Sequence, residues 1–291
     1  MNGLIIKGIG GFYYVKTSEG VFQAKGRGAF KKEGIVLCVG DYVSIEVLDD
    51  GDAVINSIEP RKNHFIRPPI ANVDAMIVVF AATKPKPNFT VIDKFLILAE
   101  QNGIEPIICI NKCDLLSEEK VQKLAEIYEG AYKVVKTSSE TGEGLDRLES
   151  LIKGKKVAFA GPSGVGKSTI TNALIPEANM ETGKISDKTS RGKHTTRHVE
   201  IFETAEGGYV FDTPGFTSFE ILDADEDNLR DFYPEIAEFT GKCRFDNCRH
   251  VKEPGCAVIE AVEEGRINKQ RYESYLQHMD EIKRRKKQWV K

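Results

Sequence analysis

A chain of 291 residues with 41% hydrophobic residues is long enough for two or three domains with real cores. Its formal net charge of -3 excludes a globally basic protein, so any nucleic-acid surface has to be local. Met1–Lys7 is too short an apolar run for a signal peptide, no stretch approaches the ~18 apolar residues of a membrane span, and the six cysteines suit a reducing cytoplasm with one metal site better than a disulfide framework.

Residues 1–66 read as short strands broken by glycine turns. Candidates are Leu4–Ile9, Phe12–Lys16, Val21–Ala24, Tyr42–Val47 and Val54–Ile58, with Gly-Gly, Glu-Gly and Asp-Asp-Gly between them. This pattern suggests a small β-barrel, nearest to an OB-fold, although strand counting fits other small β-domains as well. Lys25, Arg27, Lys31 and Lys32 share one loop with Phe30, a basic and aromatic mix that suits RNA and equally suits a solvated face.

From Arg67-Pro68-Pro69 onward strands alternate with helices, which predicts a parallel sheet with flanking helices over residues 67–222. Strands are expected at Ala75–Ala81, Pro106–Ile110, Val134–Val135 and Val157–Ala160. Helices are expected at Val91–Asn102, Glu118–Glu129 and Gly144–Ile152. The unbroken apolar run Ala75–Phe80 is that of a strand buried on both faces. The strand Pro106–Ile110 ends in Asn111-Lys112-Cys113-Asp114. Alone, this pattern also describes an ordinary helix N-cap. With Thr137-Ser138-Ser139 after the next strand it reads as a guanine site, to which Asn111, Lys112, Asp114, Ser138 and Ser139 contribute. The Asp114 carboxylate can accept the ring N–H and the exocyclic amino group of guanine, and adenine offers neither there.

Gly161-Pro162-Ser163-Gly164-Val165-Gly166-Lys167-Ser168, between a predicted strand and a predicted helix, is a phosphate-binding loop, and Thr169 directly after it is expected to bind GTP as well. Its glycines let backbone N–H groups close on phosphate oxygens, and the helix N-terminus adds its dipole. Lys167 is expected on the β and γ phosphates and Ser168 on Mg²⁺. In Gly192-Lys193-His194-Thr195-Thr196-Arg197 one threonine completes the Mg²⁺ shell, with Thr196 preferred over Thr195. Asp212-Thr213-Pro214-Gly215 follows the apolar strand Gly208–Phe211. Asp212 is expected to reach Mg²⁺ through water and the Gly215 N–H to sense the γ-phosphate. Phe216 stands where many GTPases place a water-orienting glutamine, so slow intrinsic turnover is expected. His194 is the candidate substitute, or else a solvated loop residue. The base reader precedes the phosphate loop, whereas an ordinary GTPase has it last, so the order is circularly permuted. The turn at Gly215 then leads directly to the C-terminal region, with Phe216, Phe219 and Ile221 as candidate joints for transmitting nucleotide state.

Residues 223–291 open with an acidic stretch, reach Cys243-x₄-Cys248-x-His250-x₅-Cys256 and end in a basic helix. Three thiolates and one imidazole suit a closed, structural Zn²⁺ site, with no position left for a hydrolytic water. From 266 to 291 there are nine Lys/Arg and three Asp/Glu, a local balance of +6, compatible with phosphate binding or with a solvated face.

Together, the barrel, the permuted motif order, Gly-x-His-Thr-Thr, Asp-Thr-Pro-Gly-Phe and the Cys₃His knot closely resemble the RsgA (YjeQ) family of ribosome-small-subunit-dependent GTPases. The resemblance covers nearly the whole chain. It implies a multidomain α/β protein with an N-terminal OB-fold (1–66), a circularly permuted GTPase domain (67–222) and a helical zinc domain (223–291). It also implies hydrolysis of GTP to GDP and phosphate, stimulated by the small ribosomal subunit and its rRNA late in that subunit's maturation. A cytoplasmic monomer with no membrane partner is expected. Two other readings stay open: an RNA-binding module that senses GTP with negligible turnover, and a permuted GTPase serving the large subunit. Asp114 opposes an ATPase.

Overall fold

The computed structural model describes residues 1–48, 51–66, 68–175, 178, 199–212 and 224–289, with side chains of the last helix described to residue 286. The chain divides into two compact units, Met1–Met76 with Asp146–Phe159 and Lys167–Phe216, and Ile77–Leu145 with Ala160–Gly166 and Thr217–Lys291.

In the first unit, β1 (Asn2–Ile9), β2 (Phe12–Thr17), β3 (Gly20–Gly26), β4 (Tyr42–Val47) and β5 (Ala53–Ile58) form the N-terminal barrel. β1–β2, β2–β3 and β4–β5 are antiparallel, β3–β5 is parallel, and antiparallel β4–β1 closes the ring, an OB-like arrangement. Period-two alternation drives this closure. Ile5, Val15, Ala24, Val43, Ile45, Ala53 and Ile55 are buried, while the strand residues beside them, Leu4 apart, are at least partly exposed. The expected basic loop contains a short helix, α1 (Gly28–Lys32), carrying Phe30, Lys31 and Lys32, with Lys25 on β3 and Arg27 as its N-cap.

After the barrel strands, Pro69 of the expected Arg67-Pro68-Pro69 boundary opens β7 (Pro69–Ala71), which pairs antiparallel with β6 (His64–Ile66) as a short hairpin. Buried amides hold it in place. Asn63 Nδ2 donates to Val73 O and Asn63 Oδ1 accepts from Val73 N, both at 2.9 Å, and Asn72 Nδ2 donates to Gly40 O at 3.0 Å. The sheet runs on from β1 into β12 (Val199–Glu203), antiparallel with Lys7 opposite Glu200 and their charges 2.8 Å apart. β12 pairs antiparallel with β13 (Tyr209–Asp212), which pairs parallel with β11 (Lys156–Ala160). The expected parallel sheet is therefore mixed, with β12 running against its neighbours. α4 (Leu145–Ile152) and α5 (Lys167–Leu174) flank these strands in sequence.

The second unit holds most of β8 (Ala75–Ala81), every residue of which is buried, with β9 (Glu105–Asn111) beside it and β10 (Lys133–Lys136) parallel to β9. α2 (Phe89–Gln101) starts where Asn88 Oδ1 accepts from Val91 N at 3.3 Å. α3 (Glu118–Ala125) stops short of the predicted Glu129, and its chain turns at Tyr128, which is fully buried. A 3₁₀ turn (Leu229–Phe232), α6 (Pro234–Ala237), α7 (Ala257–Glu263) and α8 (Lys269–Trp289) make the C-terminal part. Their core, Leu229, Tyr233, Ile236, Val258, Tyr275 and Met279, also takes in Ile97 of α2. No described helix is long and apolar enough to cross a membrane.

Candidate nucleotide and metal sites

β9 delivers Asn111 at its buried end, and this side chain ties three motifs together. Its Nδ2 donates to Val165 O of the phosphate loop at 2.9 Å and to Ser139 Oγ at 3.2 Å, while its Oδ1 accepts from Ser139 N at 3.0 Å and Thr137 Oγ1 at 3.3 Å. These bonds fix the Asn111 amide between the phosphate loop and the Thr137–Ser139 segment. Lys112 adopts a left-handed conformation (φ 63°), and its ammonium donates to Lys84 O and Gly164 O, both at 2.7 Å. Its charge thus braces the phosphate loop at Gly164.

Asp114 is exposed, and Ser138 Oγ donates to its Oδ1 at 2.5 Å. That contact orients the carboxylate, whose two oxygens can accept paired donors on one edge of a planar ligand. Ser138 is itself buried, so the position of the carboxylate is set from behind.

The loop from Gly161 to Gly166 needs its glycines for space as well as for backbone conformation. Gly161 has φ +134°, and a Cβ there would lie 2.1 Å from Val79 O. Gly166 has φ +102°, and a Cβ would lie 2.2 Å from Asn111 Nδ2. Ser163 and Gly164 are exposed at the tip, Pro162 is half-buried and Val165 is buried as an anchor. The chain continues into Lys167, Ser168 and Thr169, the half-buried first turn of α5. Burial lowers the Lys167 ammonium to about 8. Such an ammonium gains from an anion, which supplies the solvation that burial removes. Asp212 ends β13. His194, Thr195, Thr196, Gly215, Phe216, Phe219 and Ile221 lie outside the described residues.

Cys243, Cys248, His250 and Cys256 converge as the sequence predicts, their ligand atoms all within 4.8 Å of one another. Cys243 Sγ is 3.5 Å from His250 Nδ1, His250 Nδ1 is 3.3 Å from Cys256 Sγ, and the two sulfurs are 3.9 Å apart. A tetrahedron with metal–sulfur bonds of about 2.3 Å and a metal–nitrogen bond of about 2.0 Å has edges of about 3.5–3.8 Å, so these atoms fit an ion of that size. Burial, then the neighbouring Arg230 charge, lowers the His250 pKa and keeps its imidazole neutral, the form that ligates. Glu253 shapes the loop by accepting from the backbone N–H groups of Arg249, Val251 and Lys252 at 3.1, 2.8 and 2.9 Å. Burial alone would raise its pKa, but these donors bring it down to about 2.

Sequence reading missed a buried polar centre in the second unit. Arg271 of α8 has Nη1 2.5 Å from Asp93 Oδ1 of α2, and its Nε donates to Glu235 Oε1 at 2.6 Å. The guanidinium lies over the rings of Tyr233, Tyr128 and Tyr132 at 4.5, 5.4 and 5.4 Å. Beside it, His278 accepts from Tyr233 OH through Nδ1 at 2.7 Å and donates from Nε2 to Thr90 O at 3.0 Å. Burial holds the His278 pKa down to about 4, which fits this neutral tautomer. The only sequence signal was a basic residue among apolar ones at helical spacing, easily taken for part of a solvated face.

Comparison with known proteins agrees with this geometry. Residues 2–55 match the RsgA N-terminal domain family and residues 58–222 the RsgA GTPase family. A protein of Caldanaerobacter subterraneus named small ribosomal subunit biogenesis GTPase RsgA is 47% identical over 292 residues, covering 100% of this chain and 99% of its own. Its namesake in Clostridium beijerinckii is 48% identical, covering 97% of each. The crystal structure of YjeQ from Thermotoga maritima superimposes with a TM-score of 0.82 at 38% identity, over 97% of this chain and 98% of that one. YloQ, solved as a circularly permuted GTPase, gives 0.81 at 41% identity over 98% and 95%. The motif order, the barrel and these matches over nearly all of both chains agree: the chain belongs to the RsgA GTPase family.

Proposed function

We propose that this chain hydrolyses GTP to GDP and phosphate in the biogenesis of the small (30S) ribosomal subunit, and that it works bound to that subunit and its rRNA. The observation that carries this reading is Asn111, whose one side chain bonds both the phosphate loop and the serine pair that places Asp114. A guanine reader and a phosphate loop tied in this way favour a guanine nucleotide as the ligand, and the relatives named for small-subunit biogenesis supply the setting.

In this reading Asp114, backed by Ser138 and Ser139, selects guanine. Gly161–Gly166 and Lys167 hold the phosphates, and Ser168 with Thr196 binds Mg²⁺, Asp212 acting through water. Gly215 senses the γ-phosphate and His194 assists the attacking water. Cys243, Cys248, His250 and Cys256 hold one structural Zn²⁺. The working form is a cytoplasmic monomer, with domains over 1–66, 67–222 and 223–291.

The test is steady-state GTP hydrolysis by the purified chain alone, with small subunits and with large subunits. Stimulation by small subunits alone is expected. Stimulation by large subunits alone, or by neither, overturns the proposal.

A further inference from the structure

Beyond the Asp-Thr-Pro-Gly motif the chain is described again from Ala224, and its first residues form a closed turn. Asp225 Oδ1 accepts from Asp227 N at 2.8 Å and Asn228 N at 2.9 Å, and Asn228 Oδ1 accepts from Asp225 N at 2.7 Å. Two acidic side chains leave this turn toward the metal loop. Arg249, between the ligands Cys248 and His250, donates from Nη1 to Glu226 Oε2 at 2.5 Å and from Nε to Asp227 Oδ1 at 2.9 Å, with Nη2 2.8 Å from that oxygen. The grip is returned, since Arg230 Nη1 donates to Cys248 O at 3.0 Å. The next two carbonyls of the loop, Arg249 O and His250 O, accept from Tyr275 OH at 2.8 Å and Tyr272 OH at 2.9 Å. Lys286 Nζ also approaches the turn, 3.4 Å from Glu226 Oε1.

We infer that Arg249 and Arg230 are positioning residues, a two-way clasp that passes the rigidity of the metal-loaded loop to residues 224–230. The inference rests on the Zn²⁺ and GTP reading above and adds how the two sites communicate. A four-residue turn with polar side chains has no core of its own, and ordering it costs conformational entropy. An arginine fork on a backbone already held by two metal ligands and three capped carbonyls has lost that freedom beforehand, so its contacts order the turn at low cost. Metal loss would release residues 248–250, and residues 226–230 would lose both grips together. Linkage makes the effect reciprocal: if nucleotide state displaces residues 224–230, it changes the grip on the metal loop and hence how readily metal leaves.

The experiment uses the full chain, loaded with Zn²⁺, with GDP or a non-hydrolysable GTP analogue. Hydrogen exchange across 224–232 and Zn²⁺ release to a chromogenic chelator are followed in wild type, Arg249→Ala and the charge swap Arg249→Asp with Asp227→Arg. Wild type is expected to release Zn²⁺ at different rates in the two nucleotide states. In Arg249→Ala, still carrying one Zn²⁺ at the start, exchange across 224–232 rises about tenfold and release becomes faster and insensitive to nucleotide. The charge swap restores much of the difference, which general loss of packing would not allow. Unchanged exchange and release in Arg249→Ala, or a swap no better than the single variant, overturns the clasp. Subunit-stimulated hydrolysis, measured on the same samples, reports separately on the functional reading, so an absent stimulation beside the expected exchange pattern counts against that reading alone.

Discussion

Asn111 shows how one amide can set an entire site. It is fully buried with four hydrogen-bond contacts, and replacing it takes this partner from the buried Val165 and the half-buried Ser139. Asn111→Ala is expected to cost about 2–3 kcal/mol in a urea titration and to weaken GTP and GDP alike. Asp114→Ala acts differently. It removes an exposed group, so stability should hold within about 0.5 kcal/mol, while discrimination of GTP from ATP falls about 100-fold or more in competition binding, as loss of a paired hydrogen-bond site demands. Lys167 adds a pH dependence. Its pKa of about 8 means the ammonium is mostly present at pH 7 and mostly lost at pH 9, so affinity for GDP should fall toward tenfold over that interval. A Lys167→Met variant should bind weakly throughout and show no such slope. These residues were legible in the sequence because their chemistry is local: glycine spacing, a lysine before a serine, an aspartate three residues after an asparagine. The scaffolding role of Asn111 was not legible, since it depends on which backbone atoms face the end of β9.

At the scale of elements, α2 and α8 are joined by a centre that a reading of helical faces does not reveal. Arg271 belongs by composition to a basic helix, yet it is 1% exposed and faces Asp93, itself fully buried. Arg271→Met takes the counterpart from both Asp93 and Glu235, Asp93→Leu leaves Arg271 with Glu235 alone, and each should cost about 3–5 kcal/mol. The double variant should cost clearly less than the sum of the two, because the fully buried Asp93 carboxylate is then gone and only the partly buried Glu235 has lost its partner. Denaturation midpoints of the four proteins check this. His278 adds a pH dependence on the same seam. Its folded pKa of about 4 lies below the ordinary value of 6.5, so the unfolded chain binds the extra proton first. Stability from this group is complete above about pH 6.5 and is lost as pH falls toward 4, by about 3 kcal/mol at most. His278→Gln should flatten that part of a melting profile between pH 7.5 and 5. The β6–β7 hairpin was missed for a related reason. Arg67-Pro68-Pro69 reads as a terminator, but Pro69 begins a short two-stranded edge where a missing N–H is tolerated, and the buried amides of Asn63 and Asn72 supply the bonds that pattern reading cannot anticipate.

On the scale of the whole molecule, motif order said more than composition did. The permuted sequence of base reader, phosphate loop and Asp-Thr-Pro-Gly pointed to the family before any strand was placed, whereas a net charge of -3 concealed a C-terminal stretch of opposite sign. What the linear order hid is that the barrel is not an appendage. β1 is at once the first strand of the barrel and the neighbour of β12, with Lys7 and Glu200 facing each other across the seam and Lys16 and Glu203 paired beyond it. A version of the chain begun after the barrel would therefore leave β12 with one row of backbone donors and acceptors open to any other strand, in a segment that includes Val199, Ile201 and Phe202. Such truncations are expected to self-associate through that row, giving dimers or insoluble material where the full chain stays dispersed, as light scattering would show. Shortening this protein from its N-terminus would thus expose an adhesive strand instead of isolating a smaller enzyme.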